Sequence, residues 1–173
     1  MSHSLGIAQR LAIAALLFLA PVGFVLAALV GNQNTTIRFS EKELTGTFQL
    51  REVAAVHKDL ALASLRGGKP ADGGFAALEA AERSFGEGME SAELTRAAVA
   101  AVRSSAAGGN GLDEARAALR ALTARVGDKS NLILDPDLDS FYVMDLMLVK
   151  LPEALDRIVA MVTLARLTFA DGT

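Results

Sequence analysis

The sequence predicts an all-α protein: an N-terminal transmembrane helix continuing into an antiparallel helical bundle of the four-helix type. Three observations carry the prediction. Residues Leu11 to Val30, LAIAALLFLAPVGFVLAALV, run for twenty positions without a charge. Alanine fills 32 of the 173 positions while aromatics make up only 5%, so the apolarity comes from helix formers rather than from the β-branched and aromatic residues of strands. Beyond Val30, apolar residues return every three or four positions between glycine-rich stops, the period of a helix with one buried face.

The first element is defined by its length. At 1.5 Å per residue, twenty residues cover about 30 Å, the thickness of a bilayer's hydrocarbon core. Pro21 and Gly23 would weaken a soluble helix but are tolerated in a membrane span. A cleaved signal peptide is the rival, with Arg10 as its basic flank and Val25-Leu26-Ala27 as a passable cleavage triplet. Its apolar region usually runs about 7–15 residues, shorter than this one, which favours a retained anchor. Arg10 and the terminal amine precede the span and the uncharged Gly31-to-Ile37 stretch follows it, so the N-terminus is expected to be cytoplasmic. The organisation is then a 1–10 cytoplasmic tail, an 11–30 transmembrane helix and a 31–173 extracytoplasmic bundle. Ile158 to Ala170, with Arg166 inside its 13 residues, is too short and too charged to be a second span.

Thr35 to Leu65 begins the bundle, with Leu50, Val53, His57 and Leu60 as its clearest stripe and Arg66-Gly67-Gly68-Lys69-Pro70 as its stop. A second helical region runs from about Phe75 to Ser105, carrying Phe75, Leu78, Phe85 and Met89. Gly86 and Gly88 are expected to bend or break it. After the turn Gly108-Gly109-Asn110-Gly111 comes the cleanest helix, with Leu112, Ala115, Leu119, Leu122 and Val126 on one face. The last runs from about Leu138 to Phe169 and places Phe141, Asp145, Leu148, Leu151, Leu155, Ile158 and Val162 together, with a kink or restart at Pro152.

Composition narrows the function. Without cysteine there is no disulfide framework, no thiolate zinc site and no cysteine nucleophile. A net charge of −3 gives no footprint for nucleic acid. His3 and His57 are the only histidines, and the bilayer would separate them. Asp135, Asp137 and Asp139 have the spacing of a calcium loop, but Ser140 stands at its glycine position and Leu146 at its final acid. A helix start explains them better: Asp135 or Asp137 caps free amides and Pro136 suits a first turn. Gly67-Gly68-Lys69 lacks the first glycine and the hydroxyl residue of a phosphate loop. Asn34-Thr35-Thr36 matches a glycosylation sequon beside the span. Nothing brings a nucleophile and a base together, so the chain is read as a non-enzyme without metal or cofactor.

The run Ser130 to Pro152, SNLILDPDLDSFYVMDLMLVKLP, is the most specific stretch. Its S-N-L-x-L-D-P-D-L-D-S-F-Y-x-M-D followed by V-K-L-P resembles a segment in the extracytoplasmic sensing regions of bacterial chemotaxis receptors and sensor histidine kinases. Val56-His57-Lys58-Asp59-Leu60 sits where those proteins carry a basic pair in a stretch such as H-R-x-L, with Lys58 where arginine is common. The layout is more loosely similar to all-helical nitrate- and nitrite-sensing domains. The resemblance covers roughly Glu43 to Leu155. It implies an inner-membrane protein, a small-solute ligand, a homodimer, and a continuation through a second span and a HAMP-type linker to a signalling module that this chain does not include.

Asp145 on an apolar stripe is costly to bury unpaired, and His57 poses the same problem on the first long helix. One reading has His57 or Lys58 meeting Asp145, with Tyr142 one turn away, at a site for a small polar or anionic ligand. The other is a satisfied polar pair in the core, or residues at the wet edge of their stripes. Asn131 belongs to the turn that precedes Asp135. The expected function is the ligand-sensing portion of a membrane signal transducer, with a membrane-anchored periplasmic adaptor for a partner protein as the alternative.

Overall fold

The computed structural model describes residues 6–68, 70, 73–106, 111–133 and 138–170. All-helical architecture is what it shows, with no strand among the described residues. The elements are α1 (Ile7–Arg66), α2 (Gly73–Met89), α3 (Ala92–Ala106), α4 (Leu112–Lys129), α5 (Leu138–Asp145), a π-helical segment (Leu146–Lys150) and α6 (Leu151–Ala170). The chain divides into two units, Met1–Glu41 and Lys42–Thr173.

The first unit holds the apolar part of α1. From Leu11 to Val30 its large side chains are all exposed, Phe18 and Phe24 by 72% and 76%, so no protein core accounts for them. By length and composition α1 is long and apolar enough to cross a membrane.

The second unit builds its own core. The stripe predicted on α1 is buried in full, from Leu50 through Val53 and His57 to Leu60. On α4, Ala115, Leu119, Leu122 and Val126 are completely covered, as the three-and-four spacing required. Phe75, Leu78 and Met89 supply α2's share of this core, while Phe85 lies half-buried and stacks on Phe48 at 6.1 Å. Pairings along the chain give the directions. Gly74 lies beside Val56 and Phe85 beside Phe48, so α2 runs against α1. Lys129 meets Glu90, Ser130 abuts Gly46, and Leu148 packs at Gly127.

Three chain breaks have local causes. Helix α1 stops where Gly67 takes φ +70°, letting its N–H reach the Ser64 carbonyl and the Gly68 N–H the Ala63 carbonyl at 2.9 Å. Helix α4 stops at Asn131, the rare non-glycine that accepts φ +66°. Its N–H goes to Asp128's carbonyl and that of Ile133 to Gly127's. The third break differs from expectation. Helix α2 continues unbroken through Gly86 and Gly88, and the expected second helix divides instead at Glu90, φ +49°. A Cβ at Gly86 would overlap the Glu82 carboxylate, so that glycine makes room for a side chain rather than a bend. Gly46 serves a similar end, since a Cβ there would overlap Ser130.

Pro152 acts as expected. It has no N–H to return to the preceding turn, and directly before it the helix widens, Leu151 donating to Leu146's carbonyl five residues back. The extra residue changes the buried face. Beyond it, Leu151 and Ile158 of the predicted stripe are about half exposed, while Asp156 and Val159 are buried; Phe141, ahead of the widened turn, is 41% exposed as well.

Candidate functional site

Two polar clusters lie inside the second unit. In the first, Glu82 of α2 gathers donors from three elements onto one oxygen. Gln49 Nε2 reaches Glu82 Oε2 at 2.8 Å, Ser91 Oγ at 2.7 Å and Thr95 Oγ1 at 2.6 Å. Gln49 also donates to Ser91 Oγ at 2.8 Å. Ser91 occupies the junction between α2 and α3, where Glu90's left-handed conformation turns the chain.

The second cluster centres on Asp156 of α6. His57 Nε2 donates to its Oδ1 at 2.9 Å, Arg116 Nε lies 3.4 Å from the same oxygen, and Arg120 binds Oδ2. The side chains of His57, Arg116 and Asp156 are 6%, 7% and 11% exposed. A carboxylate with both oxygens occupied this way is a structural anchor, not a free base. Since Asp156 only accepts, the His57 Nε2 carries its proton towards Asp156, and Nδ1 is left without a partner among the described residues. Arg116 Nη1 continues to the exposed Asp113, while its Nη2 is buried without a partner.

Beside His57 a groove of about 400 Å³ opens between α1 and the π-helical segment with the start of α6. Ala54, Met147, Leu151, Leu155 and Ile158 give it apolar walls and Lys58 gives it a cation. The groove has two local causes. Small residues, Ala54 and Ala154, stand where larger ones would fill it, and the widened turn before Pro152 supplies Met147 to its wall.

His57 is thus buried and paired, but with Asp156 and not with Asp145. Asp145 and Asp156 lie 11 residues apart on the last helical run, about 16 Å along its axis, and it is Asp156 that comes level with His57. Lys58 is exposed at the groove and has no ion-pair partner among the described residues. Asp145 is half-buried in a smaller cleft of about 110 Å³, lined by Ile133, Phe141 and Leu148. Tyr142 is 64% exposed and meets Phe141 edge-on. Only His57 and Lys58 of these four share a site. Asn131 forms the turn as described, while Asp135, Pro136 and Asp137 lie outside the described residues.

Sequence reasoning missed Asp156, Arg116 and Arg120. Arg116 was detectable: it sits between Leu112 and Leu119 on α4's apolar face, a charge that needed a counterpart. Among the described residues no group of three His, Asp or Glu side chains is placed to hold a metal ion. At the C-terminal end of α4, Lys129 donates to Glu90 at 2.7 Å. That hydrogen bond, with the ammonium's charge, holds the exposed Glu90 carboxyl below its ordinary range. The chain matches no family model, no curated protein and no solved structure.

Proposed function

We propose that this chain is the extracytoplasmic ligand-sensing portion of a bacterial transmembrane signal transducer, of the chemoreceptor or sensor-kinase kind. Residues 11–30 anchor it in the inner membrane, 1–10 are cytoplasmic, and 31–173 form an antiparallel bundle outside that works as a homodimer. The observation that carries this reading is that one helix, α1, bears both the exposed apolar run and the two basic residues of the groove. The resemblance of Ser130 to Pro152 to receptor sensing regions points the same way.

A second reading, an anchored adaptor for a partner protein, draws on α6. Met161, Leu164 and Phe169 there are 64%, 66% and 79% exposed, the kind of apolar surface that marks an interaction site.

Because the chain has no cysteine, single cysteines report topology cleanly. In intact spheroplasts an impermeant maleimide is expected to label Ser104→Cys and not Ser2→Cys, and the reverse pattern would overturn the proposal. In nanodiscs, a panel of small solutes is expected to include one that raises the melting midpoint through the His57–Lys58 groove. A panel with no such solute, together with a protein partner retained by wild type and lost in Met161→Ser, favours the adaptor.

A further inference from the structure

We propose that the groove beside His57 binds a free, water-soluble organic monocarboxylate with a compact apolar body. The inference deepens the sensing reading by naming a ligand class, yet its geometry stands without any signalling role.

Four features select that chemistry. The volume, about 400 Å³, lies within the ~300–1,000 Å³ of small-molecule sites. The walls are apolar but left half exposed, Met147 and Leu151 each by 53% and Ile158 by 48%, so an apolar body gains burial that the folded chain alone does not provide. The charge at the groove is unopposed. Lys58 has no ion-pair partner among the described residues, and His57, the other polar lining residue, has Asp156 already bound at Nε2. An anion at Lys58 therefore meets a free ammonium and no competing carboxylate on the lining.

The polar content is also small, which limits the ligand to a single charged head. A dicarboxylate or a phosphate dianion would leave its second charge against Leu151 and Ile158, with nothing to compensate the lost hydration. A neutral apolar compound would leave Lys58 without an ion partner. The remaining polar atom, His57 Nδ1, is fixed in place because Asp156 and, behind it, Arg116 and Arg120 hold the imidazole. The polar cluster thus orients one wall of the groove, to which it contributes His57 alone.

The test uses the full chain in phosphatidylcholine nanodiscs, with 4-phenylbutyrate as the probe, 4-phenylbutanamide as its uncharged match and empty discs as background. Calorimetry is expected to show saturable binding of the carboxylate and at least about tenfold weaker binding of the amide. Lys58→Gln should weaken carboxylate binding by about tenfold and Lys58→Arg should retain it. Ala54→Leu, at an exposed position where the new side chain fills the groove without entering the core, should abolish binding while leaving the melting midpoint of the free protein in place. Carboxylate binding that survives both Lys58→Gln and Ala54→Leu overturns the site, and equal binding of the amide overturns the ligand class. Replacing part of the phosphatidylcholine with phosphatidylglycerol is expected to leave binding unchanged. Competition there would assign the groove to lipid and overturn the soluble ligand. None of these outcomes depends on membrane topology, so a failure here is separable from a failure of the sensing reading, which the cysteine labelling decides.

Discussion

The two polar clusters of the second unit solve the same problem with opposite chemistry. Around Glu82 a single carboxylate is met by neutral donors, an amide and two hydroxyls. Around Asp156 it is met by two guanidiniums and an imidazole. Neutral donors left behind by a lost acceptor can turn to each other, as Gln49 and Ser91 already do. The buried guanidinium of Arg116 cannot, because it only donates, and the half-exposed Arg120 beside it repels it. The lesson is that the Asp156 cluster is the more brittle of the two, although it has no more hydrogen bonds than its neighbour.

The contrast can be broken first where it predicts the largest effect. Asp156→Ala strands Arg116, 7% exposed, together with His57. Denaturant unfolding of the full chain should show a loss of about 3–5 kcal/mol. A loss below about 1 kcal/mol would mean that water reaches the cluster freely and that the contrast is wrong. Next comes Gly86→Ala, which sharpens it by pushing the Glu82 carboxylate away from its donors. The expected cost is about 1–3 kcal/mol, and in the Glu82→Ala background most of that cost should vanish, a double-mutant cycle that reads the overlap directly. Glu82→Gln keeps the shape and an acceptor oxygen, so about 1 kcal/mol is expected. The smallest effect belongs to the exposed pair. Glu90→Gln should leave the melting midpoint unchanged within error at neutral pH. Its carboxyl is held below the ordinary range by Lys129, so whatever it contributes is present above the ordinary glutamate pKa and lost as pH falls through the lowered value. A wild-type advantage over Glu90→Gln that grows as the pH falls would contradict that sign.

What could be read from the sequence follows the physics of each element. The stripes of α1 and α4 are regular, and every residue named on them is buried except Leu112 at the start of α4, which is partly buried. Glycine was the weaker guide. Gly67 ends a helix because its φ is positive, but Gly86 sits inside one because Glu82 needs the space, and spacing alone cannot separate the two. The turn at Glu90 was hidden because glutamate seldom takes that conformation. On the last helix the count itself slipped. Leu151, Leu155 and Ile158 were expected inward, whereas Pro152, Asp156 and Val159, each one position later, are the more buried. One extra residue in the π-helical turn accounts for that shift. Spacing gives a face but not a height along the helix, so Asp145 was matched to His57 although Asp156, about three turns further on, is the one that meets it.

The separations of these contacts along the chain set an order in time. Gln49 lies 33 residues from Glu82 and 42 from Ser91, so that cluster can close once α3 has left the ribosome. His57 waits for a partner 99 residues on, and Arg116 waits with it. Synthesis at about 5–20 residues per second makes that an interval of several seconds. Through it a half-built unit carries Arg116, a cation that is buried in the finished fold, with no Asp156 to receive it. The nascent chain therefore reaches its native core only when α6 arrives, and a chain truncated before Asp156 is expected to remain a substrate for proteases and chaperones instead of a smaller version of the same fold.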